Sequence, residues 1–116
     1  MAKTLWHTLR DDTSLTVARR VPPRFDLAVS AVFPAARKGR LAHQIRQDLW
    51  RMLRHLRGFS PVVRVMEDGP YLTVTAGGQV DTRPFAKAQA EAQIADLLAR
   101  PGHRARWLAH AAGDRT

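Results

Sequence analysis

Apolar and polar positions alternate with a period of two in four stretches of the chain and recur near 3.6 in three others. Leu15, Val17 and Val21 keep the alternation through residues 14–21. A shorter extended stretch covers 4–9, with Asp11-Asp12-Thr13 as the turn between the two. Pro22-Pro23 ends this predicted hairpin, because neither residue can donate to a strand ladder. Residues 25–33 alternate more strictly. Phe25, Leu27, Val29, Ala31 and Phe33 interleave with Asp26, Ala28, Ser30 and Val32, up to Pro34.

After a loop over 35–39 the period changes. On a helical wheel Leu41, Ala42, Ile45, Leu49, Met52, Leu53 and Leu56 fall within an arc of about 120°, the stripe of a helix lying on a sheet. The helix is predicted over 40–57. Gly58 suits its left-handed C-cap, and Arg54 and Arg57 complement the negative end of its dipole.

Period two returns at 62–66 and 71–76, around a turn at Glu67-Asp68-Gly69-Pro70. That turn puts Val63 and Val65 on one face with Leu72 and Val74. Val62, Arg64 and Met66 share the other face with Tyr71, Thr73 and Thr75. Asp81-Thr82 is the expected cap of a second helix, with Pro84 in its first turn and Ala86, Ala90, Ile94, Leu97 and Leu98 as its stripe. Residues 104–112 form a third, short helix that places Trp107 and Leu108 against the body.

From residue 25 the order is strand, helix, strand, strand, helix. The expected fold is α+β: a two-layer sandwich of an antiparallel sheet with two main helices on one face. It reads as a ferredoxin-like βαββα core at 25–99, preceded by the hairpin at 1–24 and followed by a helix and tail at 100–116. The hairpin either extends the sheet or takes the place of a missing last strand.

The length of 116 residues suits a single domain that needs no metal or disulfide to fold. With no cysteine, a disulfide scaffold, a thiolate nucleophile, an iron–sulfur cluster and a Cys-based zinc site are excluded. Apolar residues at 45% and charged residues at 25% are globular values. Apolar runs are only a few residues long, and the start lacks a signal-peptide core, so a cytoplasmic domain is expected, with no membrane partner.

The net charge of +9 changes the picture only once it is divided along the chain. Sixteen of the nineteen basic residues are Arg, and eighteen residues are Ala, a pairing that a GC-rich genome produces through codon usage alone. Residues 1–36 hold five basic and three acidic side chains, and residues 65–116 hold six of each. Residues 37–64 hold eight basic side chains against Asp48, for +7. Codon usage does not spare the flanks, so the concentration is the signal.

The polar face of the first helix carries Arg40, Arg46, Arg51, Arg54 and Arg57, with His43, Gln44, Gln47 and His55 between them, and Arg37, Lys38 and Arg64 flank it. Clustered forked donors are what phosphate recognition requires. The plainer reading is a solvated helix face in an Arg-rich chain. Trp50 falls outside the apolar arc, between Arg46 and Arg54. It would stack on a base, anchor a partner or fill a homodimer interface, or else cover the core's edge with Arg46 and Arg54 on its ring. Tyr71, on the mixed sheet face, is a second stacking candidate.

Catalytic chemistry finds no constellation. The five histidines lack metal-ligand spacing, and Ser14, Ser30 and Ser60 sit in no nucleophile elbow. Gly69 and Gly77-Gly78 lack the frame of a phosphate loop. The expectation is a small non-enzymatic protein, without cofactor or metal, that binds RNA or DNA with little sequence specificity. The alternative is a protein-interaction or assembly module, a homodimer or an adaptor to an acidic partner, with Trp50 and its arginines as the hot spot.

Overall fold

The alternating segments pair into one antiparallel sheet of five strands, with three helices beside it. The computed structural model describes residues 6–112. The strands are β1 (His7–Arg10), β2 (Ser14–Ala18), β3 (Leu27–Pro34), β4 (Phe59–Asp68) and β5 (Tyr71–Val80), and their order across the sheet is β1-β2-β4-β5-β3. The helices are α1 (Lys38–Leu53), α2 (Lys87–Ala99) and α3 (Pro101–Ala112).

The α+β class is as expected, but the strand order differs from that of a simple ferredoxin-like fold. The N-terminal hairpin extends the sheet beside β4, and no described strand lies outside β3. The reason lies after α2. There the apolar side chains of Trp107, Leu108 and Ala111 recur at helical spacing, so this segment forms α3 and packs on α1 and α2.

Register assigns the two faces. Leu15 pairs with Val65, Val65 with Val74 and Val74 with Ala31, and this row faces the helices with its neighbours Val17, Val63 and Ala76. One residue along, Thr16, Arg64, Thr75 and Ser30 line up on the opposite, open face. α1 lies over β2 and β4, and α2 over β3. Trp107 is fully buried in the core and meets Phe33 with ring centroids 6.2 Å apart.

Several boundaries move, each for a local reason. The β4–β5 turn is two residues rather than four. Gly69 takes a φ of 59° at its first position, so Glu67 and Asp68 pair with Leu72 and Tyr71. α1 ends at Leu53, because the Leu56 N–H turns to the Leu53 carbonyl in a tighter bond, and Gly58 follows with a φ of 74°. α2 starts at Lys87, since the Asp81 carboxylate is held by Arg20 and Gln79 instead of capping a helix. Phe25 lies outside β3, its ring 5.7 Å from the Arg64 guanidinium. Residues 4 and 5 of the expected extended stretch 4–9 lie outside the described part, as do 113–116.

Candidate nucleic-acid interface

The basic window is divided by the fold. Arg37, Lys38 and Arg40 stand at the head of α1, Arg46 in its middle, and Arg54 and Arg57 in the turn after it. Arg51 lies on the flank facing α3, where it pairs with Asp48 at 3.3 Å. Arg64 is on the open face of the sheet, 3.3 Å from the Thr16 hydroxyl. Tyr71, 54% exposed, is on that same open face, so the sheet separates both from α1.

At the head of α1 is a cavity of about 590 Å³. Arg37, just before the helix, and Lys38, Arg40, His43 and Gln44 within it line one side, with Thr8 and Arg10 from β1 and His110 from α3. Arg10 reaches across the first turn, with its guanidinium 3.8 Å from where a Cβ on Gly39 would stand. Lys38 is paired with Glu67 at 2.6 Å.

From this cavity a line of side chains runs along α1. The Arg46 Nε–H donates to His43 Nδ1 at 3.3 Å, and the Arg46 guanidinium lies 4.3 Å from the Trp6 ring centroid. Arg19 stands 5.8 Å from the centroids of both Trp6 and Trp50. Phe59 stacks on Trp50 at 6.4 Å with the planes 6° apart. A second cavity, of about 470 Å³, continues past Trp50 between Arg19, Arg20, Arg54 and Arg57. The cation on Trp50 is therefore Arg19, because Arg46 turns to Trp6 instead.

Burial first, then the charge of Arg46, pushes His43 below the ordinary histidine range and favours its neutral form. With Nδ1 accepting from Arg46, the ring proton sits on Nε2 and leaves that nitrogen a donor. Asp48 is the window's single acid, and it is turned inward. Its carboxylate accepts from Trp107 Nε1 and from Arg106, both at 2.7 Å. Burial pushes its carboxyl up, but the Trp107 and Arg106 hydrogen bonds, with the charges of Arg106 and His103, outweigh that and hold it below the usual range.

Comparison with protein-family models, curated proteins and solved structures finds no match for this chain. Trp6, Arg10, Arg19, Arg20 and His110 join the strip although the basic window does not include them. The charge sum over residues 1–36 hid three of these, because Asp11, Asp12 and Asp26 offset Arg10, Arg19 and Arg20. Asp26 is in fact engaged elsewhere, with Arg24 and Arg83. The signal available was Arg19-Arg20 directly after an alternating strand. Among the described residues, no three His, Cys, Asp or Glu side chains are grouped to hold a metal ion.

Proposed function

We propose that the protein binds RNA or DNA, largely without sequence specificity, along the strip between α1 and the β1–β2 hairpin. One observation carries this reading: arginines from separate chain segments converge on one side of α1. Arg10 comes from β1, Arg19 and Arg20 follow β2, and Arg40, Arg46, Arg54 and Arg57 come from α1 and the turn after it. Codon usage raises the number of arginines everywhere, but it does not gather them from distant segments. The rings of Trp6 and Trp50, partly buried against the core, interleave with the guanidinium groups of Arg46 and Arg19, a combination that sequence-tolerant recognition of single strands uses. α1 is 16 residues, about 24 Å, over which one strand of B-form DNA carries about seven phosphates. The reading calls for no cofactor.

Fluorescence anisotropy with generic single- and double-stranded oligonucleotides tests it. If four or five phosphates are neutralised, affinity for a single strand falls by about 100-fold between 50 and 200 mM salt. Absence of binding at 50 mM salt, or binding indifferent to salt, would sink the reading.

A second reading is an assembly module: a homodimer, which the open sheet face favours, or an adaptor to an acidic protein with Trp50 and its surrounding arginines as the hot spot. On the open sheet face Val32 and Tyr71 are 55% and 54% exposed, with Met66 also exposed. Light scattering across a concentration series tests the homodimer, and a constant monomer mass removes it. Co-elution with a poly-glutamate peptide tests the acidic partner.

A further inference from the structure

We infer that the cavity at the head of α1 receives a terminal phosphate, the phosphomonoester at the end of a nucleic-acid strand. This rests on the polyanion reading and assigns one end of the strip to one chemical group.

The two cavities of the strip differ in what they offer. The one past Trp50 has the partly buried indole in its wall, with the buried Phe59 ring stacked on it. The one at the head of α1 has no aromatic platform beyond its two imidazoles, and no carboxylate lines it among the described residues. Its wall is built of hydrogen-bond donors, which suit phosphate oxygens.

Those donors come from three directions. Arg10 reaches over from β1, Arg37 and Arg40 rise from the head of α1, and His110 comes from α3. His43 adds an Nε2–H donor without a charge. A phosphodiester inside a strand offers two free oxygens and one charge, and its chain must leave on both sides. A terminal phosphate offers three free oxygens and, at pH 7, close to two charges, since its second pKa is about 6. It also needs only one exit. On the α3 side the Arg37 N–H donates to the Ala111 carbonyl at 3.2 Å and seats the end of α3 on the head of α1. The way onward is along α1, toward Arg46 and Trp6.

The first turn of α1 supports the same polarity. It has no acidic residue of its own and no side-chain cap, and the Glu67 carboxylate near it is engaged by Lys38.

Three oligonucleotides of one sequence, ending in a 5′-phosphate, a 3′-phosphate or hydroxyls only, decide the matter by anisotropy at 150 mM salt. One of the phosphate-ended strands should bind about tenfold more tightly than the hydroxyl-ended strand, and which one does so gives the strand's direction. Arg10→Ala should bring that ratio below about twofold, and Arg40→Gln should do the same. Arg57→Ala, at the far end, should weaken all three strands while keeping the ratio. Equal binding of the three strands with a steep salt dependence overturns the terminal-phosphate assignment and leaves the polyanion reading standing. A ratio unmoved by Arg10→Ala and Arg40→Gln overturns the location. Failure of all three strands to bind at 50 mM salt overturns both.

Discussion

Trp107 Nε1–H donates to the Asp48 carboxylate at 2.7 Å, which ties α3 to the single acid of the basic window. Arg106 donates to the same oxygen, and Arg51 to the other at 3.3 Å. The single acid of residues 37–64 is therefore taken up at the junction of α1 and α3, while Glu67 pairs with Lys38 and Asp81 with Arg20.

Removing that carboxylate leaves a buried indole N–H without its acceptor and the Arg106 guanidinium without its partner. Asp48→Ala should cost about 3 kcal/mol in urea unfolding, and Asp48→Asn, which keeps an acceptor, should cost less. A cycle with Trp107→Phe should show a coupling of at least about 1 kcal/mol. Additive losses would mean the two side chains do not act as a pair.

Asp26 gives the stability a dependence on acid. Arg24 first, then the Val80 N–H and the charges of Arg24 and Arg83, hold its carboxyl at about 2 despite an opposing contribution from burial. A carboxyl depressed in the folded state stabilises fully above its unfolded value, near 3.9, and that contribution fades as pH falls toward 2. Asp26→Asn should therefore be less stable at pH 7, with a shallower loss between about pH 4 and 2. Parallel curves for the two proteins in urea melts would contradict this.

Two glycines should respond in opposite directions. A Cβ on Gly77 would run into the Leu27 carbonyl of the paired strand β3, so Gly77→Ala should destabilise by at least about 2 kcal/mol. At Gly39, in the first turn of α1, the nearest atoms are Leu15 Cδ1 at 3.5 Å and the Arg10 guanidinium at 3.8 Å, ordinary van der Waals distances. Gly39→Ala should raise the melting midpoint, by about 0.5–1 kcal/mol of helix propensity. Equal effects at the two sites would show that the close approach of β3 and β5 is relieved at little cost.

The two faces of the sheet can be separated by binding. Arg54→Ala with Arg57→Ala should weaken oligonucleotide binding and reduce the salt slope by about one for each phosphate left without its arginine. Arg64→Ala with Tyr71→Ala should leave both unchanged, since these residues are on the open face. Loss of binding in the second pair alone would move the interface to that face.

Element types and buried sides were legible because they are local properties. Val63, Val65, Leu72 and Val74 alternate within their own strands, so one turn between them suffices to put them on one face. Leu41, Ile45 and Leu49 recur at helical spacing, so the buried side of α1 follows without knowledge of what it packs on. The separation of Arg64 from the α1 arginines was not legible in the charge window. Nearness in sequence places Arg64 beside Arg57, whereas the pleat of β4 sends it to the other side of the sheet.

The sequence by itself determined periodicity, and hence which residues each element turns inward. It also determined the concentration of positive charge in residues 37–64. The tertiary structure alone decided that the hairpin joins β4 and not β3, which brings Arg10 and Arg19 beside α1. It also decided that Asp48 meets Trp107, a residue 59 positions away. The physical reason is that alternation reports whether a neighbour is apolar but not which neighbour it is. That choice is made when distant segments compete for the same exposed edge and the same unpaired donors.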